Sequence, residues 1–317
     1  MGMSNQALAQ RADFAIADLT TDGGLLQPEQ ANTFIDLIME QPTILSQVRS
    51  VRMNSPAMKI DKIGFDSRIV HAAPQGTSPF AADDGSNDRW LAAAKRAKPT
   101  TQQISLATKE YMAEVHIPYE ALEDSIERDR LESHIMTRMA ARVAVDSEEI
   151  GLFSDTGSGD TDLVLQDGWL KRMTSNVVDN ANAGASPDMF EAGMLAMPQR
   201  FMRNLASVKH FVTLANTIRY RALVAQRITG YGDSALTTNL PLVAYGVPVE
   251  AAPMLAAQGS GNSGFFTFPQ NLIWGIQRQI SVETMREIRA REVLIVLTFR
   301  MALQIETEEA TVRYSNI

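Results

Sequence analysis

The 317-residue sequence contains no cysteine and only four histidines. Without cysteine the chain cannot form disulfides, thiolate nucleophiles, iron–sulfur clusters or cysteine-ligated zinc sites. The histidines stand singly, with no His-x-x-x-His pair, which is not the pattern of a metal site. No apolar run reaches the 18 residues that mark a membrane-spanning helix. These absences argue against thiol chemistry, metal binding and a membrane span.

Motifs that mark nucleotide or hydrolase sites are also missing. The sequence has no Walker A motif, no Gly-x-Ser-x-Gly and no EF-hand loop. One Gly-x-Gly-x-x-Gly occurs at Gly259, Gly261 and Gly264, but an aromatic strand rather than a helix follows it, which favours a hairpin loop. The sequence therefore predicts no catalytic residue, no cofactor and no metal, and a protein that is not an enzyme.

The composition is that of a folded protein with about two domains. Hydrophobic residues make up 45% and charged residues 21% of the chain, which indicates neither disorder nor a coiled coil. The N-terminus lacks the basic and apolar regions of a signal peptide, so we expect a soluble, cytosolic chain. A net charge of −8 argues against a protein that coats nucleic acid.

The charge is unevenly distributed along the chain. Residues 52–110 carry nine cationic and six acidic side chains, whereas residues 111–156 carry four and eleven. These two segments could be separate solvated faces. They could also be complementary surfaces that meet, within the chain or between copies of it.

The first part of the chain is predicted to contain an arm, a short helix and a long extended segment. Residues 1–27 are polar and are typical of an arm, and Pro28 begins a helix that Pro42 ends. Residues 52–117 are predicted to be extended, with a projecting loop from Ala72 to Asp88 because that stretch has little apolar content.

Strands are predicted on both sides of this loop. The segment from Met58 to Phe65 indicates a strand with a register break. Apolar residues occupy even positions at Ile104 and Leu106 but odd positions after Lys109, and this change of phase predicts a bulge or bend. The whole unit is predicted to be a long two-stranded β-hairpin.

The longest rigid element is predicted to be a helix from Arg128 to Phe153. At 1.5 Å per residue it would be about 35–40 Å long. Its apolar face has a strict spacing of four residues, at Leu131, Ile135, Met139 and Val143.

A compact α/β region is predicted to follow. Ser186 caps one helix, and Asn216 caps a second helix that runs to about Ile228. Val243 to Val249 is predicted to be one strand bent by glycine and proline. Short strands are expected at Phe265–Phe268 and Leu272–Ile276.

The last strand is predicted from Val293 to Ile305. The nearly continuous apolar run from Val293 to Phe299 indicates a buried strand. The alternation of apolar and polar residues beyond Phe299 indicates that one face of the strand then becomes wet.

The order of these elements resembles that of the major capsid proteins of tailed bacteriophages, the Hong Kong 97 fold. The Gly246-Val247-Pro248-Val249 turn and the late Asn271-Leu272-Ile273-Trp274-Gly275 strand resemble the family most closely. The other matching pieces are the arm to Gly24, the extension loop Met53 to Lys109, the spine helix Arg128 to Phe153, the axial helix Asn216 to Ile228, and the runs Phe268 to Ile276 and Val293 to Ile305. Together they cover essentially the whole chain.

The resemblance implies an α+β fold with an N-terminal arm, a long β-hairpin extension loop, a spine helix, a peripheral domain and an axial domain. The arm would be residues 1–27, the extension loop 53–110 and the axial domain 181–265. The peripheral domain would combine 28–52, 111–180 and 266–317, with the spine helix at 128–153.

The resemblance also implies a major capsid protein that assembles into pentamers and hexamers of an icosahedral shell around double-stranded DNA. The expected partners are other copies of the chain, a separate scaffolding protein and a portal, with room for decoration proteins. Contact with DNA would not be sequence-specific, and no membrane would be involved. The protein would be found in the virion capsid after assembly in the bacterial cytoplasm.

Inter-subunit contact residues are expected in the basic and acidic segments, because the extension loop would lie over a neighbouring copy. The basic candidates are Arg89, Trp90, Lys95, Arg96 and Lys98, and the acidic candidates are Glu120, Glu123, Asp124 and Glu127. Two alternatives stay open. One is an encapsulin-like nanocompartment shell, and the other is a soluble α/β enzyme with an unrecognised site.

Overall fold

The computed structural model describes residues 42–65, 68–73, 91, 93–120, 131–226, 241–257 and 263–317. The arm and the helix expected before Pro42 therefore lie outside the described residues. The chain divides into two compact units. We call Ala57–Leu106 the extension, and Met1–Pro56 with Ala107–Ile317 the body.

The regular elements of the described residues are four helices and twelve strands. The helices are α1 (Leu131–Phe153), α2 (Trp169–Arg172), α3 (Pro187–Ala196) and α4 (Leu214–Ala225). The strands are β1 (Arg49–Arg52), β2 (Ala57–Gly64), β3 (Thr100–Ala107), β4 (Lys109–Pro118), β5 (Val177–Asp179), β6 (Lys209–Val212), β7 (Val243–Ala244), β8 (Val247–Ala251), β9 (Ser263–Thr267), β10 (Leu272–Glu287), β11 (Glu292–Ile305) and β12 (Thr311–Ser315).

A four-stranded sheet in the body has the order β1-β10-β11-β4. Strand β1 runs parallel to β10, and the other neighbours are antiparallel. Helix α1 covers one face, where Ile135 and Met139 pack against Ile295 and Val143 packs against Leu297. Ile135, Met139 and Val143 of the predicted four-residue spacing therefore lie on the buried side of α1. The side chain of Leu131 and residues 128–130 lie outside the described residues.

A six-stranded sheet has the order β5-β12-β9-β6-β8-β7. Helices α3 and α4 share one core with this sheet, in which the Phe190 and Tyr220 rings meet edge to face at 4.8 Å. Strands β5 and β12 come from outside residues 181–265, and the C-terminal β12 lies between β5 and β9.

The helix caps confirm one prediction and correct another. Ser186 accepts a hydrogen bond from the Met189 amide at 3.2 Å and caps α3 as predicted. The cap of α4 is Thr213 and not Asn216, because Thr213 Oγ1 accepts a hydrogen bond from the Asn216 amide. Threonine and asparagine both cap helices well, so the sequence offered two possible first residues for this helix, three positions apart. Ile228 lies outside the described residues.

The segment from Val243 to Val249 is a tight hairpin rather than one bent strand. Strands β7 and β8 pair antiparallel, with Ala244 opposite Val247. The two residues between them, Tyr245 and Gly246, both have positive φ, at 50° and 86°. Positive φ at both central residues is the geometry of a type I′ turn, which matches the twist of the flanking strands.

The glycine motif does not connect neighbouring strands. Strand β9 pairs with β12 and β6, while β8 before it pairs with β6 and β7. The predicted hairpin loop is therefore wrong. Gly259 and Gly261 lie outside the described residues, and a Cβ on Gly264 would lie 2.9 Å from the Phe211 carbonyl oxygen. Close packing explains Gly264.

Strand β10 is much longer than the predicted Leu272–Ile276. It continues to Glu287 and pairs with β11 along that length, with irregular register between Ile276 and Ser281. Strand β1 pairs only with Ile273–Ile276. Beyond that point β10 is an edge strand among the described residues, and its sequence turns polar as edge strands commonly do.

Two residues of the body, one just before and one just after the extension, are hydrogen-bonded to each other. The Pro56 carbonyl accepts hydrogen bonds from the Thr108 amide at 2.9 Å and the Thr108 hydroxyl at 3.2 Å. We call this contact the neck. Thr108 also separates β3 from β4, at the place where the apolar phase of the sequence changes.

The extension contains one two-stranded sheet, formed by β2 and β3. Burial alternates along β2 without a register break, so Met58 and Ile60 are half-buried while Ile63 is exposed. Asp61 accepts a hydrogen bond from the Gln103 side chain at 2.7 Å across the two strands. A short 3₁₀ turn, Ala93–Lys95, precedes β3.

Candidate assembly surfaces

The described residues form no metal site. Among them, no group of three or more His, Asp or Glu side chains is arranged to hold a metal ion. The described helices are all too short or too polar to cross a membrane. We therefore consider the surfaces that the sequence assigned to contacts between copies.

The basic candidates lie on the extension. Lys95 ends the short 3₁₀ turn, and Lys95, Arg96 and Lys98 are all exposed. Arg96 donates a hydrogen bond from Nε to the Leu91 carbonyl at 2.9 Å, and this contact orients its guanidinium group. Arg89 and Trp90 lie outside the described residues.

The extension carries a small excess of positive charge, because residues 57–106 contain seven cationic and five acidic side chains. Six of the cations and one of the carboxylates, Asp61, lie within the described residues. The same unit exposes large apolar side chains at Ile63, Phe65, Ile69 and Val70, of which Ile63 and Val70 are each 70% exposed. The extension thus combines positive charge with uncovered apolar surface.

One of the four acidic candidates lies within the described residues. Glu120 is exposed, and its Oε1 lies 3.9 Å from Nη1 of Arg291 in the same chain. Glu123, Asp124 and Glu127 fall in 121–130, outside the described residues. The sites at 120–127 thus remain predictions.

The acidic segment 111–156 is not one solvated face, because Glu148 is in the interior. Glu148 is only 1% exposed, and its Oε2 accepts hydrogen bonds from the Ile44 and Leu45 amides, each at 3.0 Å. The Thr43 hydroxyl donates to Oε1 at 3.3 Å. Burial raises the pKa of the Glu148 carboxyl, and these hydrogen bonds offset only part of that effect. Glu148 therefore anchors residues 43–45 to α1.

A second acidic surface comes from the four-stranded sheet. Residues that pair across antiparallel strands share a face, and Val293, Ile295, Leu297 and Phe299 of β11 face α1. The alternate residues of β11 and their partners on β4 and β10 form the opposite side, which we call the outer face. Its register positions are Glu110, Met112, Glu114, His116, Pro118, Arg278, Ser281, Glu283, Met285, Glu287, Glu292, Leu294, Val296, Thr298 and Arg300.

The outer face is acidic around an apolar centre. Five glutamates stand against two arginines, Arg278 and Arg300, and Leu294 and Val296 lie in the middle row. Arg300 donates from Nη2 to Glu110 at 2.7 Å. His116 bridges two glutamates, with Nε2 2.8 Å from Glu114 Oε1 and Nδ1 3.0 Å from Glu292 Oε2.

The core of the six-stranded sheet holds a buried imidazole. His210 Nδ1 lies 3.0 Å from the Tyr314 hydroxyl, and its ring stacks on Phe266 at 4.3 Å. Its Nε2 has no hydrogen-bond partner among the described residues. Burial lowers the pKa of His210 to about 3 and raises the pKa of Tyr314. His210 is thus neutral and structural.

Sequence reasoning missed the outer face, since three separate strands supply its glutamates. The sequence of β11 held the signal that could have revealed this face. Its apolar residues occupy both odd and even positions, and only the odd positions are needed to pack against α1. In a strand with one wet face, the other parity would be polar.

The fold and sequence can now be compared with those of known proteins. The model of the phage capsid family matches residues 22–315. The chain is 34% identical over 319 aligned residues to prophage capsid protein YqbE of Bacillus subtilis (strain 168), with 98% of each chain covered. The chain belongs to the phage capsid family.

Solved structures of phage capsid proteins share this fold. A chain from Microbacterium phage Oxtober96 aligns with a TM-score of 0.65 at 14% identity, covering 96% of this chain and 99% of that one. The capsid of a native GTA particle gives 0.64 at 14% identity, covering 94% and 97%. A satellite phage P4 procapsid that includes a size determination protein gives 0.58 at 13% identity, covering 99% and 98%.

The expected α+β Hong Kong 97-like fold and the expected capsid function are therefore confirmed. The chain is a structural protein, a major capsid protein that forms a viral shell. The encapsulin and enzyme alternatives gain no support.

Proposed function

We propose that copies of this phage capsid protein form the pentamers and hexamers of an icosahedral shell that encloses double-stranded DNA. Membership of the phage capsid family carries this proposal. The net charge of −8 supports it, because a strongly cationic lumen would hold packaged DNA and oppose its release. The shell would assemble in the bacterial cytoplasm with a separate scaffolding protein and a portal. Decoration proteins could be further partners.

The division of labour within the subunit is part of the same proposal. Residues 181–265 would gather around the capsomer axis as the axial domain. Residues 28–52, 111–180 and 266–317 would form the peripheral domain, and residues 1–27 an arm. The loop 53–110 would cross onto a neighbouring copy, which its exposed cations and apolar side chains support.

Charge reversal in the extension tests this proposal. Lys95→Glu combined with Lys98→Glu reverses two exposed cations and spares Arg96, which is engaged with Leu91. We expect wild-type protein to form closed shells in negative-stain images. The double variant should keep its thermal midpoint but lose at least nine-tenths of its shells.

A matched control reverses two exposed cations of the body, Arg52→Glu with Arg203→Glu. This control should assemble like the wild type. Normal shells from the Lys95 and Lys98 variant would contradict a contact role for the extension. A wild-type chain that forms no shells or capsomers would contradict the shell itself.

A further inference from the structure

We propose that a groove between α4 and β8 is the docking site of the N-terminal segment of the same chain, residues 28–41. These residues lie outside the described ones, whereas the groove is formed by described residues of the body. The contact is made within one chain, so the inference goes beyond the proposed shell and does not depend on it.

The groove is large and mostly apolar, with a volume of about 660 Å³. Helix α4 contributes Leu214 and Ile218, which are 53% and 60% exposed. Because these two residues are four positions apart, they lie on the same side of the helix. Strand β8 and the residue before β7 add Leu242, Pro248 and Val249. A cavity of this size can bury several apolar side chains of a partner.

Helix α4 has apolar side chains on two sides. Tyr220 and Val224 are each 4% exposed and pack into the core of the six-stranded sheet. Leu214 and Ile218 lie on a different side, where the described residues leave them exposed. A surface helix usually has one apolar stripe, which faces the core. The second apolar side of α4 is therefore suited to a partner that is not among the described residues.

The first described residues of the chain lie beside this groove. Gln47 Nε2 donates a hydrogen bond to Glu250 Oε2 at 2.7 Å, and Glu250 is part of the groove wall. Gln270 Nε2 donates to the Gln47 carbonyl at 3.0 Å and holds the same residue in place. Pro42 precedes Gln47 by five positions, so their Cα atoms are at most about 18 Å apart. A helix formed by residues 28–41 would be about 21 Å long, so it can reach the groove from Pro42.

The sequence of residues 28–41 fits an apolar groove. The predicted helix carries Phe34, Leu37 and Ile38 on one stripe. This is the spacing by which an amphipathic helix anchors itself in a groove. A helix of this length is marginally stable in water by itself, so its apolar stripe requires a cover.

Charge also favours this occupant. Residues 28–41 contain three carboxylates and no cation. The groove is lined by Arg221 and Glu250, and Glu250 Oε1 is paired with Lys209 Nζ at 2.5 Å. The adjoining residues 227–240, which are outside the described ones, contain one cation and one carboxylate. The surroundings of the groove thus have a small excess of positive charge, which suits an acidic segment.

The covalent link selects the segment of the same chain over that of another copy. A segment joined to its docking site by a short connection has an effective concentration in the millimolar range. Other copies in dilute solution are far less concentrated. The groove is therefore occupied within one chain.

Disulfide formation tests this contact, because the chain has no cysteine of its own. Leu37→Cys combined with Ile218→Cys places one thiol on the predicted stripe and one in the groove. We expect mild oxidation of the full chain to close this pair in at least half of the molecules, since a disulfide requires Cα atoms within about 7 Å. In the matched control, Val177→Cys replaces Ile218→Cys. Val177 is 52% exposed and lies at the opposite edge of the six-stranded sheet, so this pair should close in less than a tenth.

The partners of the disulfide distinguish the possible occupants. A tagged Leu37→Cys chain and an untagged Ile218→Cys chain are co-expressed and oxidised, and we expect almost no heterodimer. A heterodimer as abundant as the intrachain disulfide would assign the groove to the segment of a second copy and overturn the inference. Failure of the intrachain pair to close, or equal closure of the Val177→Cys control, would also overturn it.

Hydrogen exchange provides an independent measurement. Ile218→Glu places a carboxylate in the groove, where it repels an acidic segment. We expect the amides of residues 30–40 to exchange at least ten times faster in this variant than in the wild type, and Val177→Glu to leave their exchange unchanged. Unchanged exchange in an Ile218→Glu chain that remains folded by circular dichroism would contradict docking. Shell formation by the wild type is scored separately in negative-stain images, so failure of the shell and failure of this contact are distinguishable.

Discussion

The six-stranded sheet and the extension place the same kinds of side chain in opposite surroundings. Phe190, Phe211 and Phe266 are fully buried beside their sheet, whereas Ile63 and Phe65 of the extension are more than half exposed. Phe190 and Phe266 belong to one core that the sheet shares with two helices, and Phe211 belongs to a second core with Trp169 and Leu170. In the described part of the extension, a single pair of strands is all that is present to bury apolar side chains. The comparison shows that the six-stranded sheet buries its large apolar side chains, whereas the extension leaves several of its own exposed.

The largest expected difference concerns glycine. A Cβ on Gly193 of α3 would lie 2.0 Å from the Tyr314 hydroxyl, whereas one on Gly64 of the extension would meet nothing within 4 Å. We expect Gly193→Ala to lower the free energy of unfolding by about 3 kcal/mol, because overpacking displaces a buried ring. Urea denaturation of the monomer measures this. An equal loss from the control Gly64→Ala would contradict the contrast between the two regions.

A smaller effect is expected at the buried carboxylate. Glu148→Ala leaves the Ile44 and Leu45 amides without their acceptor and should cost about 2 kcal/mol. Glu148→Gln keeps an acceptor oxygen and removes the buried charge, so its unfolding free energy should stay close to that of the wild type. The exposed carboxylate of the extension provides the matched control. Asp61→Asn should change stability by less than about 0.5 kcal/mol. If the Gln variant proved as unstable as the Ala variant, the charge itself would be required.

The most gradual effect is the response of the six-stranded core to acid. His210 has a folded pKa of about 3, below its ordinary value of 6.5, so the unfolded chain binds the proton more tightly. The stability that it contributes is complete above pH 6.5 and decreases toward pH 3, by about 1.4 kcal/mol per pH unit. The measurement is the free energy of unfolding between pH 7 and 4. His210→Phe should show a slope shallower by that amount, and equal slopes would show that protonation does not oppose folding.

The sequence predicted elements well where local chemistry was unambiguous. The spacing of α1 and the Ser186 cap are examples, since each depends on residues within a few positions. The length of β10 was missed because its second half has one neighbouring strand in the part of the chain that the structure describes, and it lacks the apolar run of a central strand. The Thr213 cap was missed because Asn216 satisfies the same local rule.

The candidate assembly surfaces were visible in the sequence only in part. The basic cluster of the extension is contiguous in sequence, so counting charges was enough to propose it. The outer face combines residues 110–118, 278–287 and 292–300, which become neighbours only through the register of three strands. Counting charges also placed Glu148 on a surface, because net charge does not distinguish a solvated carboxylate from one that binds backbone amides inside the core.

The neck between Pro56 and Thr108 has a consequence for how this subunit can evolve. Because those two residues are hydrogen-bonded to each other, the 51 residues between them form a loop whose ends the body already holds together. Doubling the length of such a loop adds only about 0.6 kcal/mol of closure entropy. The extension can therefore lengthen, shorten or change sequence with little effect on the stability of the body. That freedom would let related shells adjust their subunit overlaps while conserving the fold from which the extension emerges.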